Sequence, residues 1–132
     1  MTSHPVFVRR ASASDLPLIE ALQVRVYREE GYLSAARPHS MGDEAPFNDP
    51  HLTDVFVAFQ HTPEGTEELV GTISLTEEGP DGFPTFTGDF PHAMRVLKAH
   101  DGKLCVLWRF IVVPNCRTNF RAAMLLIMES LI

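Results

Sequence analysis

The chain has 132 residues, 45% hydrophobic and 21% charged, and its 17 acidic residues outweigh 11 basic ones for a formal net charge of -6. That length supplies one hydrophobic core rather than two, and the apolar fraction excludes a disordered polypeptide. The basic residues are scattered along an acidic chain, which argues against nucleic-acid binding, and no stretch approaches the ~18 consecutive apolar residues of a membrane span.

Along the chain, Pro5 to Arg10 is a short β-branched and aromatic run that predicts a strand. The small polar residues of "ASASD" suit the turn and helix cap that follow. From Leu16 to Glu30 the apolar residues Leu18, Ile19, Leu22 and Val26 recur at helical spacing, with Pro17 in the first turn and Gly31 as the stop. Residues 33–51 hold several prolines and acidic or amide side chains, so a long loop is expected, of a kind that is more often functional than idle.

Thr53 to Gln60 and Leu69 to Thr76, joined by a turn at "HTPEGTEE", read as an antiparallel hairpin. "EEGPDGFPTFTGDFP" reads as a second loop, His92 to His100 as a short helix, and Leu104 to Val113 as a strand. Pro114 and Asn115 then turn the chain into a helix whose first turn spans Arg117 to Ala122 and whose continuation is almost wholly apolar. The resulting expectation is one mixed α/β (α+β) domain over 1–132, with a mostly antiparallel sheet flanked by helices.

A helix N-terminus offers unpaired backbone N–H groups and a positive dipole end, so the turn at Arg117 is a phosphate-binding candidate. Arg117 and Arg121 would add charge-assisted contacts, although as plain structure they are equally read as solvated side chains. Here the sequence resembles the GCN5-related N-acetyltransferase (GNAT) superfamily, whose acyl-CoA motif is Arg/Gln-x-x-Gly-x-Gly/Ala after a strand. Arg117 and Ala122 fall on its first and last marked positions, and Phe120 stands where the middle glycine belongs. "VFVRRASASDLPLIEAL" is similar to the first strand and helix of that superfamily, and "ELVGTISL" to its third strand.

A narrower resemblance is to the autoinducer synthases and N-acyl amino acid synthases, carried by "RVYREEGYL", "DFPHAMRVL" and the Arg109-Phe110 pair of "LWRFIVVP". Leu107 and Trp108 occupy positions where that branch has an acid and a serine. The resemblance implies an N-acyltransferase that uses acetyl-CoA or a longer acyl-CoA, or an acyl-carrier protein, as donor and a small amine or amino acid as acceptor. It also implies that backbone groups of Ile111, Val112 and Val113 bind the thioester and pantetheine, and that those of Arg117, Thr118, Asn119, Phe120, Arg121 and Ala122 bind the pyrophosphate.

Acyl transfer to an amine further needs a deprotonated amine and a polarised carbonyl. Glu77 and Glu78, after the third strand, are candidate bases, and otherwise an ordinary solvated turn. Arg25, Tyr27, Tyr32 and Arg109 are candidates for the acceptor pocket, against a reading in which Tyr27 is core and Arg25 a surface charge. Cys105 and Cys116 have no metal-ligand spacing and no recognisable base beside them in sequence, so neither a metal nor a covalent enzyme intermediate is expected, and a reducing cytoplasmic setting is. The apolar strand "VLWRFIVV" would be an exposed sheet edge, which a homodimer completing the sheet would cover. The competing reading is a non-catalytic acyl-CoA-binding or protein-interaction module on a shortened scaffold of the same fold.

Overall fold

A computed structural model describes residues 6–31, 45–100 and 102–114, together with Leu125. The elements are β1 (Val6–Arg10), a 3₁₀ turn (Ala13–Asp15), α1 (Leu16–Glu29), β2 (Thr53–His61), β3 (Glu67–Glu77), α2 (Pro84–Asp89), α3 (Pro91–Lys98) and β4 (Cys105–Val112). The four strands form one sheet in the order β1-β2-β3-β4, each antiparallel to its neighbours. The mixed, mostly antiparallel class read from the sequence is therefore the observed one. No helix among the described residues is long and apolar enough to cross a membrane.

Local chemistry fixes the entry into α1. The Asp15 carboxylate accepts the Ser12 N–H at 2.7 Å and two hydrogen bonds from the Arg9 guanidinium at 2.6 and 2.9 Å, which ties the helix start back to β1. Pro17 sits in the first turn, and Gly31, with φ of 75°, supplies the left-handed residue just beyond the last one. Ile19, Leu22 and Val26 are buried as the spacing predicts, but Leu18 is 51% exposed. A 3.6-residue period places Leu18 beside Ile19 yet 100° around the helix, past the edge of the buried stripe.

β2 and β3 form the predicted hairpin, closed by the 62–66 turn, where the Thr62 N–H donates to the Thr66 carbonyl at 2.8 Å. The segment after β3 differs from expectation, because part of the glycine- and proline-rich stretch read as loop is the helix α2. Pro84 is preset for a first helical turn. Burial of Phe83, 1% exposed, together with its packing on Phe86, outweighs the weak helix propensity of "PTFTGD".

Two packing clusters hold the helices to the sheet. The larger joins Leu22 and Val26 of α1 to Val6, Phe56, Ala58, Ile73, Ile111 and Val112 of the sheet, with Leu125 packed against it. The second, mostly aromatic, joins Phe47, Phe83, Met94 and Trp108 and fastens α2, α3 and the 45–52 segment to the β3–β4 end of the sheet.

Candidate functional site: the bulged edge strand

β4 has β3 on one side and no further strand on the other among the described residues. Its pairing is regular from Cys105 opposite Glu77 to Trp108 opposite Ser74, then slips, and resumes with Ile111 opposite Thr72. Arg109 and Phe110 therefore share the space opposite Ile73, which is a β-bulge. At the bulge Arg109 takes φ of 49°, the left-handed region that glycine enters freely and a side chain enters at a cost of roughly 1–2 kcal/mol. Such a conformation persists only where its surroundings over-determine it.

Those surroundings are visible in the side chains. The Arg109 guanidinium lies 4.4 Å from the centroid of the Trp108 ring, a cation–π stack. Trp108 is buried and donates its indole N–H to the Thr76 hydroxyl at 2.8 Å. Thr76, fully buried, lies 2.8 Å from the Thr53 hydroxyl, and Thr53 donates to the Phe47 carbonyl at 3.2 Å. Donation thus runs from Trp108 through Thr76 and Thr53 to Phe47, and every group along it is satisfied. Phe47 completes the enclosure with an edge-on contact to Trp108, centroids 5.1 Å apart.

Arg109 is held on an aromatic face without a carboxylate. Arg9, Arg10, Arg25, Lys98 and Lys103 each have an acidic partner, whereas none is found for Arg28, Arg95 or Arg109 among the described residues. Leu107 and Phe110 of the same strand are large apolar side chains left 39% and 43% exposed.

Beyond the start of β4, a cleft of about 710 Å³ opens between the 78–83 turn, α3 and Lys103, with Leu52, Phe83 and Met94 among its apolar lining. Both candidate bases lie at this end. The Glu78 side chain bonds Lys98 Nζ at 2.7 Å and the Leu104 N–H at 3.2 Å, and these contacts, the lysine first, hold its carboxyl below the ordinary glutamate range. A carboxylate so stabilised is a poor proton acceptor and a good clamp between α3 and the approach to β4. Glu77, at the end of β3, reaches Lys103 at 3.4 Å and is half exposed.

The remaining sequence candidates are spread out. Ile111, Val112 and Val113 have buried side chains, so any ligand contact they make is through backbone, and the Val113 N–H already donates to the Val70 carbonyl at 2.9 Å. Arg25 lines a separate groove of about 480 Å³ between α1 and the β2–β3 hairpin, whose lining does not include Arg109. Tyr27 packs against the larger core cluster, in line with its core reading. Tyr32, Arg117, Thr118, Asn119, Phe120, Arg121 and Ala122 lie outside the described residues.

Sequence reasoning does not pick out Thr53, Thr76 or Phe47. The two threonines look like ordinary strand residues, and the only available signal is their position facing Trp108 in a hairpin-plus-strand register.

The family model of the N-acyl amino acid synthase FeeM matches residues 19–131, from α1 through β4 and into the segment beyond it. The chain belongs to the FeeM family. A solved structure described as FeeM, an N-acyl amino acid synthase from uncultured soil microbes, superposes with a TM-score of 0.68 at 20% sequence identity. The match covers 96% of this chain and 64% of that one, so the chain spans less than two thirds of the FeeM structure. No curated protein matches. The fold and the N-acyl amino acid synthase branch read from "RVYREEGYL", "DFPHAMRVL" and Arg109-Phe110 are thus the ones found, and the bulged strand lies wholly within the family match.

Proposed function

We propose that the chain carries out N-acyl transfer, moving an acyl group from a thioester donor, acyl-CoA or acyl-carrier protein, to the amino group of an amino acid. The observation that carries this reading is the Arg109 bulge: a strained break in an edge strand, inside a family of N-acyl amino acid synthases. A bulge sets backbone groups aside from the sheet ladder, and a thioester carbonyl needs donors of that kind where its oxygen gains charge.

In the reaction the neutral amine attacks the thioester carbonyl. A C–N bond forms and a tetrahedral oxyanion develops, then the C–S bond breaks and the thiolate leaves, while the proton lost from nitrogen passes through water or a base to the departing sulfur. The free energy gained from binding the oxyanion belongs to the transition state alone, so it speeds the chemical step. Arg109 and the exposed Phe110 supply the acceptor side of this edge, and the segment 117–122 is the place proposed for the donor's phosphates. Glu78 is not needed as the base, since its hydrogen bonds favour the charged form; Glu77 takes that role.

The test is mass spectrometry of the purified chain incubated with acetyl-CoA, palmitoyl-CoA or a palmitoylated carrier protein and a mixture of free amino acids. An N-acyl amino acid formed only with the enzyme supports the reading. Thioester binding without product from any of the donors would favour the non-catalytic alternative.

A further inference from the structure

We infer that Arg109 is the carboxylate-reading residue of the acceptor site, the group that makes this edge select an amino acid over a simple amine. The inference rests on the proposed acyl transfer for its biological meaning, but its physical basis lies in the site alone.

Three observations converge on Arg109. Among the described residues its guanidinium is in no ion pair, a condition it shares with Arg28 and Arg95, but of these three it alone lies over an aromatic ring. The side chain is partly buried and laid against the Trp108 ring at 4.4 Å, which restricts its rotamers. The ring beneath it is itself immobilised by the Trp108-Thr76-Thr53-Phe47 chain of hydrogen bonds. A guanidinium with a rigid aromatic support is pre-organised for bidentate carboxylate binding, because little rotamer freedom is left to lose on contact.

The backbone adds a reason for the residue's identity. A left-handed bulge position is made for glycine, and this chain keeps an arginine there at a conformational cost. The α-carboxylate of an amino acid is two bonds from its amine, so an arginine at the bulge would hold that amine within reach of a carbonyl bound on the same strand edge. Exposed Phe110, next in the chain, provides apolar surface for the acceptor side chain or the donor's acyl chain.

Trp108 is the only tryptophan in the chain, so its fluorescence reports directly on this site. The experiment titrates the protein with L-leucine and L-phenylalanine and with their decarboxylated counterparts isoamylamine and phenethylamine, using wild type, Arg109→Gly and Arg109→Lys. Glycine removes the guanidinium while suiting the left-handed backbone, and circular dichroism confirms that each variant is folded.

The wild type should bind the amino acids roughly 10- to 100-fold more tightly than the amines, the range expected of a charge-assisted pair. Arg109→Gly should bring all four ligands to within about 3-fold of one another without weakening the amines, and Arg109→Lys should keep only part of the preference. Equal binding of amino acid and amine by wild type, an undiminished preference in Arg109→Gly, or no binding by wild type would each overturn the assignment. An Arg109-dependent preference accompanied by no acyl transfer from any thioester would uphold the carboxylate site and sink the proposed reaction, so the two failures are distinguishable.

Discussion

Single residues carry the clearest energetic consequences. Thr76 accepts from Trp108 and shares a hydrogen bond with Thr53, and it is fully buried. Thr76→Val keeps the shape but leaves the indole N–H without a partner, a loss of roughly 1–3 kcal/mol in stability. Urea unfolding would measure that loss, and a changed Trp108 emission maximum in the folded state would show that the indole had lost its acceptor. Unchanged stability and emission would mean the hydroxyl is dispensable. Asp15 offers a pH-dependent counterpart. Its carboxyl is pushed well below the usual aspartate range by the Arg9 hydrogen bonds first, with the Ser12 N–H and hydroxyl adding to them against the cost of burial. In the folded state it therefore binds fewer protons than in the unfolded chain between its lowered value and the ordinary one near ~3.9. Its contribution is fully present above that ordinary value and is lost as pH falls below it. Asp15→Asn should flatten the acid side of the stability curve and cost about 2 kcal/mol at neutral pH, and a parallel shift of the whole curve instead would deny Asp15 this role.

At the scale of elements, the bulge in β4 is where sequence and structure part most sharply. Nothing in "LWRFIVV" marks a left-handed residue, since the residues that tolerate that region best are glycine and asparagine, and the strand pattern on either side is continuous. Hence Arg109 is identifiable only through resemblance, whereas its backbone conformation emerges from the register that β3 imposes. By contrast, β2, β3 and their turn are legible from their β-branched and aromatic runs and turn chemistry alone, because neighbouring segments pair with little competition from tertiary context. α2 is illegible for the opposite reason: its glycine, proline and threonines say loop, and only the burial of Phe83 against Phe47 and Phe86 says helix. Strain at the bulge yields a stability test separate from binding. Arg109→Gly removes a left-handed penalty of about 1–2 kcal/mol but gives up the stack on Trp108 and adds unfolded-state entropy, so its net effect should lie within about 1 kcal/mol of zero. Arg109→Val, β-branched in the same conformation, should destabilise by about 2 kcal/mol or more relative to glycine. Equal stability of the two variants in thermal or urea unfolding would mean that the strand relaxes out of the left-handed state at little cost.

For the molecule as a whole, the sheet has two unlike edges. β1 is short, Val6–Arg10, and ends in two arginines, Arg9 and Arg10, a charged edge of the kind that discourages pairing. β4 is longer, Cys105–Val112, and leaves the large apolar side chains of Leu107 and Phe110 exposed. An edge of this length and apolarity is a template for another strand, and the bulge interrupts it only after Trp108, leaving Cys105 to Trp108 in regular extended pairing geometry. Association through this edge would cover the surface beside Arg109, so assembly and access to the proposed acceptor site are coupled. Whatever binds the edge must compete with ligand or help to enclose it. For this chain alone, sedimentation velocity should therefore show a mass that rises with protein concentration. Leu107→Lys, which puts a charge in the middle of the pairing segment without touching the bulge or the Trp108 hydrogen bonds, should hold the protein at monomer mass over the same range. If Leu107→Lys associates as readily as wild type, the contact lies elsewhere and the β4 edge is closed by other means. If it stays monomeric and binds amino acids more readily, edge pairing restricts the site; if it binds them less readily, the paired strand forms part of the pocket wall.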